Sequence, residues 1–195
     1  MKLLFIDSCI RGEKSRTKIL CDHFIGEFLA KNPDWTLETV SINDLEIEAF
    51  DLDSLEKRNK LLAAKDFSDK SFDLAKQFME AEQIVMGAPY WDLSFPAKLK
   101  AYLEQCSVTG LTYIYNEMGI PEGQCRAQAL TYITTSGGPI GVMNYGYDYM
   151  RGLCKLFGIE KTHFASAEML DVIGVDVQKT IEDAKVKITD IVKNL

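Results

Sequence analysis

Hydroxyl and basic side chains are concentrated in one short stretch near the start of the chain. It lies between an apolar run at residues 3–6 and a helix-periodic segment that begins at residue 18, and it contains Cys9, Arg11, Ser15, Arg16 and Thr17. At a strand-to-helix turn, free backbone N–H groups and the positive helix end converge on one point, where hydroxyls and guanidiniums can add donors to an anion. The stretch therefore predicts a phosphate site. The alternative is that Ser15 only caps the helix and the arginines are solvated.

The same turn lacks the glycine patterns of two common nucleotide sites. It contains no G-x-x-x-x-G-K-[ST], the signature of a P-loop nucleotidase, and no G-x-G-x-x-G, the signature of a dinucleotide cradle. A hydroxyl-rich turn without these glycines favours a ligand with one terminal phosphate.

Strand and helix patterns alternate along the whole chain. Short apolar or β-branched runs predict strands at residues 3–6, 35–42, 84–88, 127–134 and 161–167. Amphipathic periodicity and capping signals predict helices that begin near residues 18, 53 or 54, 66, 96, 145 and 176. This order indicates one α/β domain over residues 1–195, a doubly wound parallel five-stranded sheet with helices on both faces. Ligands of such sheets bind beyond the carboxyl ends of the strands.

Two further loops follow predicted strand ends. The loop after the third strand carries Pro89, Tyr90, Trp91, Asp92 and Leu93. Aromatic side chains in a loop suit a planar ligand, and the alternative is an aromatic plug between helix and sheet. The loop after the fourth strand carries Thr135, Ser136, Gly137 and Gly138. Paired glycines let backbone N–H groups approach a flat ring closely, although such a pair also forms ordinary turns.

Composition limits the classes of partner and compartment. The formal net charge of −7 argues against nucleic acid or an anionic membrane as the main partner. Nothing in the sequence resembles a signal peptide or a spanning segment. Five cysteines without a C-x-x-C pair indicate a reduced, cytoplasmic chain without a disulfide framework. His23 and His163 are interpreted as packing or surface residues, so no metal site is expected.

Together these loops resemble those of the flavodoxin-like NAD(P)H oxidoreductases that hold FMN, the azoreductases and quinone reductases. The turn at residues 9–17 is similar to the family's Ser-x-Arg…Ser-x-Ser phosphate turn, and residues 91–96 resemble its flavin-edge loop, which commonly reads Tyr-Asn-Phe-Ser-x-Pro. Residues 135–138 stand where the family contacts the flavin pyrimidine. An aromatic excursion at residues 113–117 also recurs in the family. The sequence departs from the family at Cys9, commonly serine, and at Asp92, commonly asparagine.

The resemblance implies two-electron transfer from NADH or NADPH through FMN to quinone, azo or nitroaromatic acceptors. The cofactor would carry the chemistry, so no side chain is assigned as a catalytic acid or base. The resemblance and the aromatic excursion together predict a homodimer with an active site at the interface.

Three alternatives share parts of this pattern. A flavodoxin-type electron carrier fits the fold and the acidic charge, but its usual Thr/Ser-x-Thr-Gly-x-Thr turn is absent. A low-molecular-weight phosphotyrosine phosphatase also places a cysteine in the first turn. Its Cys-x5-Arg motif does not fit, because Cys9 and Arg16 are separated by one residue too many. The third alternative is a non-enzymatic module that binds flavin, and the sequence does not exclude it.

Overall fold

The computed structural model describes all residues from Met1 to Leu195. The first half of the chain forms β1 (Lys2–Asp7), α1 (Arg16–Lys31), β2 (Thr36–Ser41), α2 (Leu52–Ala63), α3 (Asp73–Glu80) and β3 (Gln83–Gly87). The second half forms α4 (Ala97–Cys106), β4 (Tyr113–Tyr115), β5 (Pro121–Gly123), β6 (Ala129–Thr135), α5 (Tyr145–Phe157), β7 (Lys161–Ala167) and α6 (Val177–Lys193). Single 3-10 turns precede α1, at Gly12–Lys14, and α3, at Lys70–Phe72.

Five of the strands form one parallel sheet in the order β2-β1-β3-β6-β7. The chain leaves β1 towards β2 and returns to the other side of β1 at β3, so the winding direction reverses between β1 and β3. This is the strand order of flavodoxin-like sheets, and it brings the carboxyl ends of all five strands to one edge. The predicted fold class is confirmed.

Helices cover both faces of the sheet. On one face, α1 and α6 pack through a cluster that includes Phe24, Phe28 and Ile188. On the other face, α3, α4 and α5 pack through a larger cluster around Tyr102 and Phe157. Both faces of β1 are therefore buried, which explains its continuous apolar run. None of the helices combines the length and apolar character that crossing a bilayer requires.

The predicted beginnings of two helices were wrong. The helix expected from residue 66 begins at Asp73, because Asp66 accepts hydrogen bonds from Ser68 and Asp69 accepts one from the Ser71 N–H at 2.8 Å. Such side-chain bonds compete with helical backbone bonds. The helix expected to be capped by residue 53 or 54 is capped by Asp51, which accepts the N–H of Ser54 at 2.8 Å. An acidic cap with serine three residues later forms a reciprocal capping box.

A small antiparallel hairpin, β4–β5, lies outside the sheet and corresponds to the predicted aromatic excursion. Its strand β5 rests on the end of α5, where Cys125 donates its N–H to the carbonyl of Phe157 at 3.1 Å. Four apolar side chains of the hairpin are exposed: Ile114, Tyr115, Met118 and Ile120. The hairpin is thus anchored at its base and presents an apolar outer surface.

Candidate functional site

The loops that follow β1, β3, β6 and β7 surround a cleft of about 280 Å³. Ten of the predicted binding residues line it: Arg11, Ser15, Arg16, Thr17, Pro89, Tyr90, Trp91, Thr135, Ser136 and Gly137. Three residues that were not predicted line it as well: Ile10, Leu170 and Asp171. The other four predicted residues, Cys9, Asp92, Leu93 and Gly138, lie outside the lining. The structure therefore brings all three predicted loops together at the carboxyl edge of the sheet.

The first loop presents unpaired backbone donors at the beginning of α1. Ser15 is the N-cap of α1, and its buried hydroxyl accepts the N–H of Lys18 at 3.3 Å. The N–H groups of Arg16 and Thr17 have no acceptor within the protein. Ser15 is thus a cap, yet capping leaves these two N–H groups available to an anion. Arg11 is exposed beside them and forms no ion pair with any acidic residue.

A hydrogen bond joins the first loop to the third. The hydroxyls of Thr17 and Thr135 are 2.7 Å apart, although the residues are separated by 118 positions in sequence. Thr17 is buried, so this contact is protected from water. It fixes the first turn of α1 against the end of β6 and sets the width of the cleft between them.

Cys9 does not contribute its thiol to the cleft. The side chain is buried, and Sγ lies 3.9 Å from the carbonyl oxygen of Gly87, while the backbone N–H of Cys9 donates to Asp7 Oδ1 at 2.9 Å. Burial, followed by the negative charge of Asp7, raises the pKa of the thiol far above its ordinary value. Desolvation outweighs the nearby positive charge of Lys18, which acts to lower the pKa. A buried thiol outside the cleft lining does not suit the nucleophilic cysteine of a phosphatase.

Cys9 is expected to resist alkylation in the folded protein, with or without flavin. Its thiolate fraction is small at neutral pH, and its sulfur is not accessible. Iodoacetamide labelling followed by peptide mass spectrometry should modify Cys125, which is partly exposed, before Cys9. Faster labelling of Cys9 than of Cys125 would contradict this buried placement.

The second loop contains a tight left-handed turn. Trp91 and Ser94 exchange two backbone hydrogen bonds, of 3.2 and 2.8 Å. The two residues between them, Asp92 and Leu93, have φ values of 48° and 68°. Among residues other than glycine, aspartate and asparagine are the most tolerant of this backbone region. Asp92, where the family that the sequence resembles commonly has asparagine, therefore preserves the turn. Its exposed side chain is not part of the cleft lining.

Tyr90 ties the second loop to its neighbours. Its N–H donates to the carbonyl of Thr135 at 3.0 Å, and its hydroxyl donates to the carbonyl of Met143 at 2.9 Å. Burial, with smaller contributions from Glu168 and Tyr145, raises the pKa of Tyr90. The hydroxyl therefore stays protonated and keeps this bond at neutral pH.

The third loop is held by the loop that follows β7. The N–H groups of Met169, Leu170 and Asp171 donate to carbonyls of residues 136–138 at 3.0–3.2 Å. In these bonds residues 136–138 act only as acceptors. The N–H groups of Gly137 and Gly138 donate to no acceptor within the protein. The glycine loop thus offers fixed, unpaired donors beside the cleft. No sequence signal marked residues 170 and 171, because their placement depends on β7 lying next to β6.

The combined donors fit a ligand that has a phosphate at one end and a planar polar ring at the other. Unpaired N–H groups and Arg11 stand at the beginning of α1, and the unpaired N–H of Gly137 and the aromatic residues belong to the other loops that line the cleft. This arrangement can bind such a ligand and hold its ring in a fixed orientation. A doubly wound sheet with such loops at its switch point defines a mononucleotide-binding protein of the flavodoxin type.

The chain belongs to the family of proteins with the flavodoxin-like fold, whose family model matches residues 1–192. It is 33% identical to an FMN-dependent NADH:quinone oxidoreductase of Clostridium perfringens, and the match covers 98% of each chain. A protein of the same name from Clostridium beijerinckii is 35% identical over 99% of this chain and 98% of its own. Both matches span almost the whole of the chain.

Solved structures agree with the fold. An azoreductase of Bacillus anthracis superposes with a TM-score of 0.87 at 20% identity, and the match covers 100% of both chains. An FMN-dependent NADH-azoreductase of the same species, solved in complex with FMN, gives a TM-score of 0.83 at 19% identity over 99% of this chain and 98% of that one. At this level of identity the likeness concerns the architecture.

Proposed function

We propose that this chain is an FMN-dependent NADH:quinone oxidoreductase. The observation that carries the proposal is the set of unpaired N–H groups at the beginning of α1 and in the glycine loop, two segments that line one cleft. Such donors suit the phosphate and the polar ring edge of FMN. Relatives that carry this enzyme name are 33–35% identical over almost the entire chain, which supports the same cofactor and co-substrate here.

The first loop holds the phosphate in this proposal. The N–H groups of Arg16 and Thr17, at the positive end of α1, donate to its oxygens, and Arg11 supplies a compensating charge. Ser15 stabilises the helix turn that presents these donors. Cys9 acts only by packing behind the loop.

The second and third loops orient the ring. Pro89, Tyr90 and Trp91 line the cleft with largely apolar surface, and Gly137 lines it with a free N–H. FMN held there would supply two-electron chemistry between NADH and a quinone. Fixed N–H groups stabilise negative charge that develops beside them at no cost of reorganisation. The chain therefore contributes orientation and charge stabilisation, and no side chain has to act as an acid or base.

An anaerobic titration tests the assignment. The purified protein reconstituted with FMN is expected to show the yellow colour of oxidised flavin. Because the cofactor carries two electrons, about one equivalent of NADH should bleach it and about one equivalent of benzoquinone should restore the colour. A parallel titration with an azo dye and a nitroaromatic compares the other acceptor classes. Bleaching by NADH without reoxidation by any small acceptor would favour an electron carrier, and a failure to bind FMN would reject the proposal.

We further propose that the chain forms a homodimer through the β4–β5 hairpin. Tyr115, Met118 and Ile120 are 56%, 79% and 52% exposed on it. A second copy of the chain is the partner that the resemblance implies, and covering these side chains would remove apolar surface from water.

Replacing Met118 by Glu is expected to shift the dimer to monomer in sedimentation velocity experiments. A charge buried in an apolar interface is costly when it has no partner. Val186→Glu is the matched control, because Val186 is 63% exposed on α6, outside the hairpin. A sedimentation coefficient of a monomer for the unmodified protein, or equal dissociation by both variants, would reject this interface.

A further inference from the structure

One ion pair joins two of the segments that line the cleft. Arg16 Nη1 lies 2.8 Å from Asp171 Oδ1 and donates a second bond, of 3.3 Å, to the carbonyl of Leu170. Arg16 is the first residue of α1, and Asp171 belongs to the loop after β7. The guanidinium that follows the cap of the phosphate turn is therefore already committed to a carboxylate.

The backbone fixes the position of that carboxylate. Asp171 donates its N–H to the carbonyl of Gly137 at 3.0 Å, and its side chain lies so close to Gly137 that a Cβ there would overlap it. The negative charge consequently stands between the phosphate end and the glycine loop. It cannot leave the cleft rim without a change of side-chain rotamer, since the backbone of Asp171 is held by the loop that follows β6.

Two effects of Asp171 on a bound phosphate oppose each other. By linking the two segments, the ion pair could help to retain the ligand in the cleft. Exposed ion pairs contribute little to the free energy of such a contact, and here the side chains of Arg16 and Asp171 are 40% and 72% exposed. As a charge, Asp171 repels a phosphate and competes for Arg16. A phosphate monoester carries close to two negative charges at neutral pH, whereas the ion pair joins two single charges. The repulsion between Asp171 and the phosphate is therefore the larger of the two effects.

We propose that Asp171 is a specificity-determining residue that limits the affinity of the cleft for the phosphorylated form of flavin. It competes with the phosphate for the guanidinium of Arg16, and it affects dephosphorylated flavin little. This inference rests on the proposed function, because it assumes that the phosphate occupies the beginning of α1. Its consequence is a cofactor that exchanges with the free pool more readily than the N–H groups and Arg11 alone would allow.

Flavin affinities of Asp171→Asn test the proposal. FMN and riboflavin are titrated separately into the apo-protein, and Kd is measured by quenching of flavin fluorescence. The variant is expected to bind FMN about tenfold more tightly, equivalent to about 1.4 kcal/mol, while its Kd for riboflavin changes less than about twofold, because riboflavin carries no phosphate charge. Glu56→Gln, an exposed position on α2 outside the cleft, removes the same charge and should leave both affinities unchanged.

A double-mutant cycle identifies Arg16 as the group for which Asp171 competes. In an Arg16→Gln background, Asp171→Asn is expected to improve FMN binding by less than about threefold, because the contested guanidinium is gone. Weaker FMN binding by Asp171→Asn, or an equal change for FMN and riboflavin, would overturn the inference and leave the proposed function standing. If the unmodified chain binds neither flavin, the proposed function fails as well.

Discussion

Replacing Ser15 by Asp is expected to weaken FMN binding by at least about 100-fold, which corresponds to about 2.7 kcal/mol. Ser15 precedes the two unpaired N–H groups at the beginning of α1, so a carboxylate at this position would lie beside the phosphate. Two unit charges 4 Å apart repel by about 4 kcal/mol at an effective dielectric constant of 20. Equilibrium titration of FMN into the apo-variant, followed by fluorescence, measures the effect.

Two controls separate charge from folding. Aspartate is as good an N-cap as serine, so the apo-variant should keep the thermal stability of the unmodified apo-protein. Ser15→Ala does the opposite. It removes the bond to the Lys18 N–H and should cost about 1 kcal/mol of stability, while the N–H groups and most of the FMN affinity remain. Unchanged FMN affinity in Ser15→Asp would place the phosphate elsewhere.

The sequence predicted the parts of this site that depend on short segments. A hydroxyl residue shortly before a helix-periodic segment indicated the cap that Ser15 forms on α1. The proline and polar residues around Tyr90 indicated the loop in which it lies. Parallel strands end at one edge of a sheet, so the alternation of strands and helices was sufficient to bring three loops together. Local pattern and a general rule of topology therefore accounted for most of the cleft.

The parts that the sequence did not reveal depend on contacts between distant residues. Asp171 lines the cleft because β7 pairs with β6 and its loop bonds to residues 136–138. Cys9 is absent from the cleft lining because its buried thiol packs beside Gly87, with Sγ 3.9 Å from the Gly87 carbonyl oxygen. Neither contact can be recognised from the periodicity or the composition of the segment in which the residue lies. Side-chain direction at the end of a strand could be read only from the packed structure.

Gly123→Ala is expected to destabilise the protein by about 3 kcal/mol or more, the upper range for overpacking of a well-packed site. An added Cβ would overlap backbone atoms of Phe157 and Gly158, at the place where β5 rests on the end of α5. Backbone atoms cannot move aside as a flexible side chain can, so either the hairpin or the helix end has to shift. Chemical denaturation followed by circular dichroism measures the change.

Gly152→Ala is the matched control within the neighbouring helix. Gly152 lies in α5, and a Cβ there would meet no atom within 4 Å, so alanine should stabilise the protein by up to about 1 kcal/mol through helix propensity. Since the hairpin is also the proposed dimer interface, Gly123→Ala should lower the sedimentation coefficient together with the stability, whereas Gly152→Ala should leave it unchanged. Stability of Gly123→Ala equal to that of the unmodified protein would show that β5 does not pack on α5 in solution.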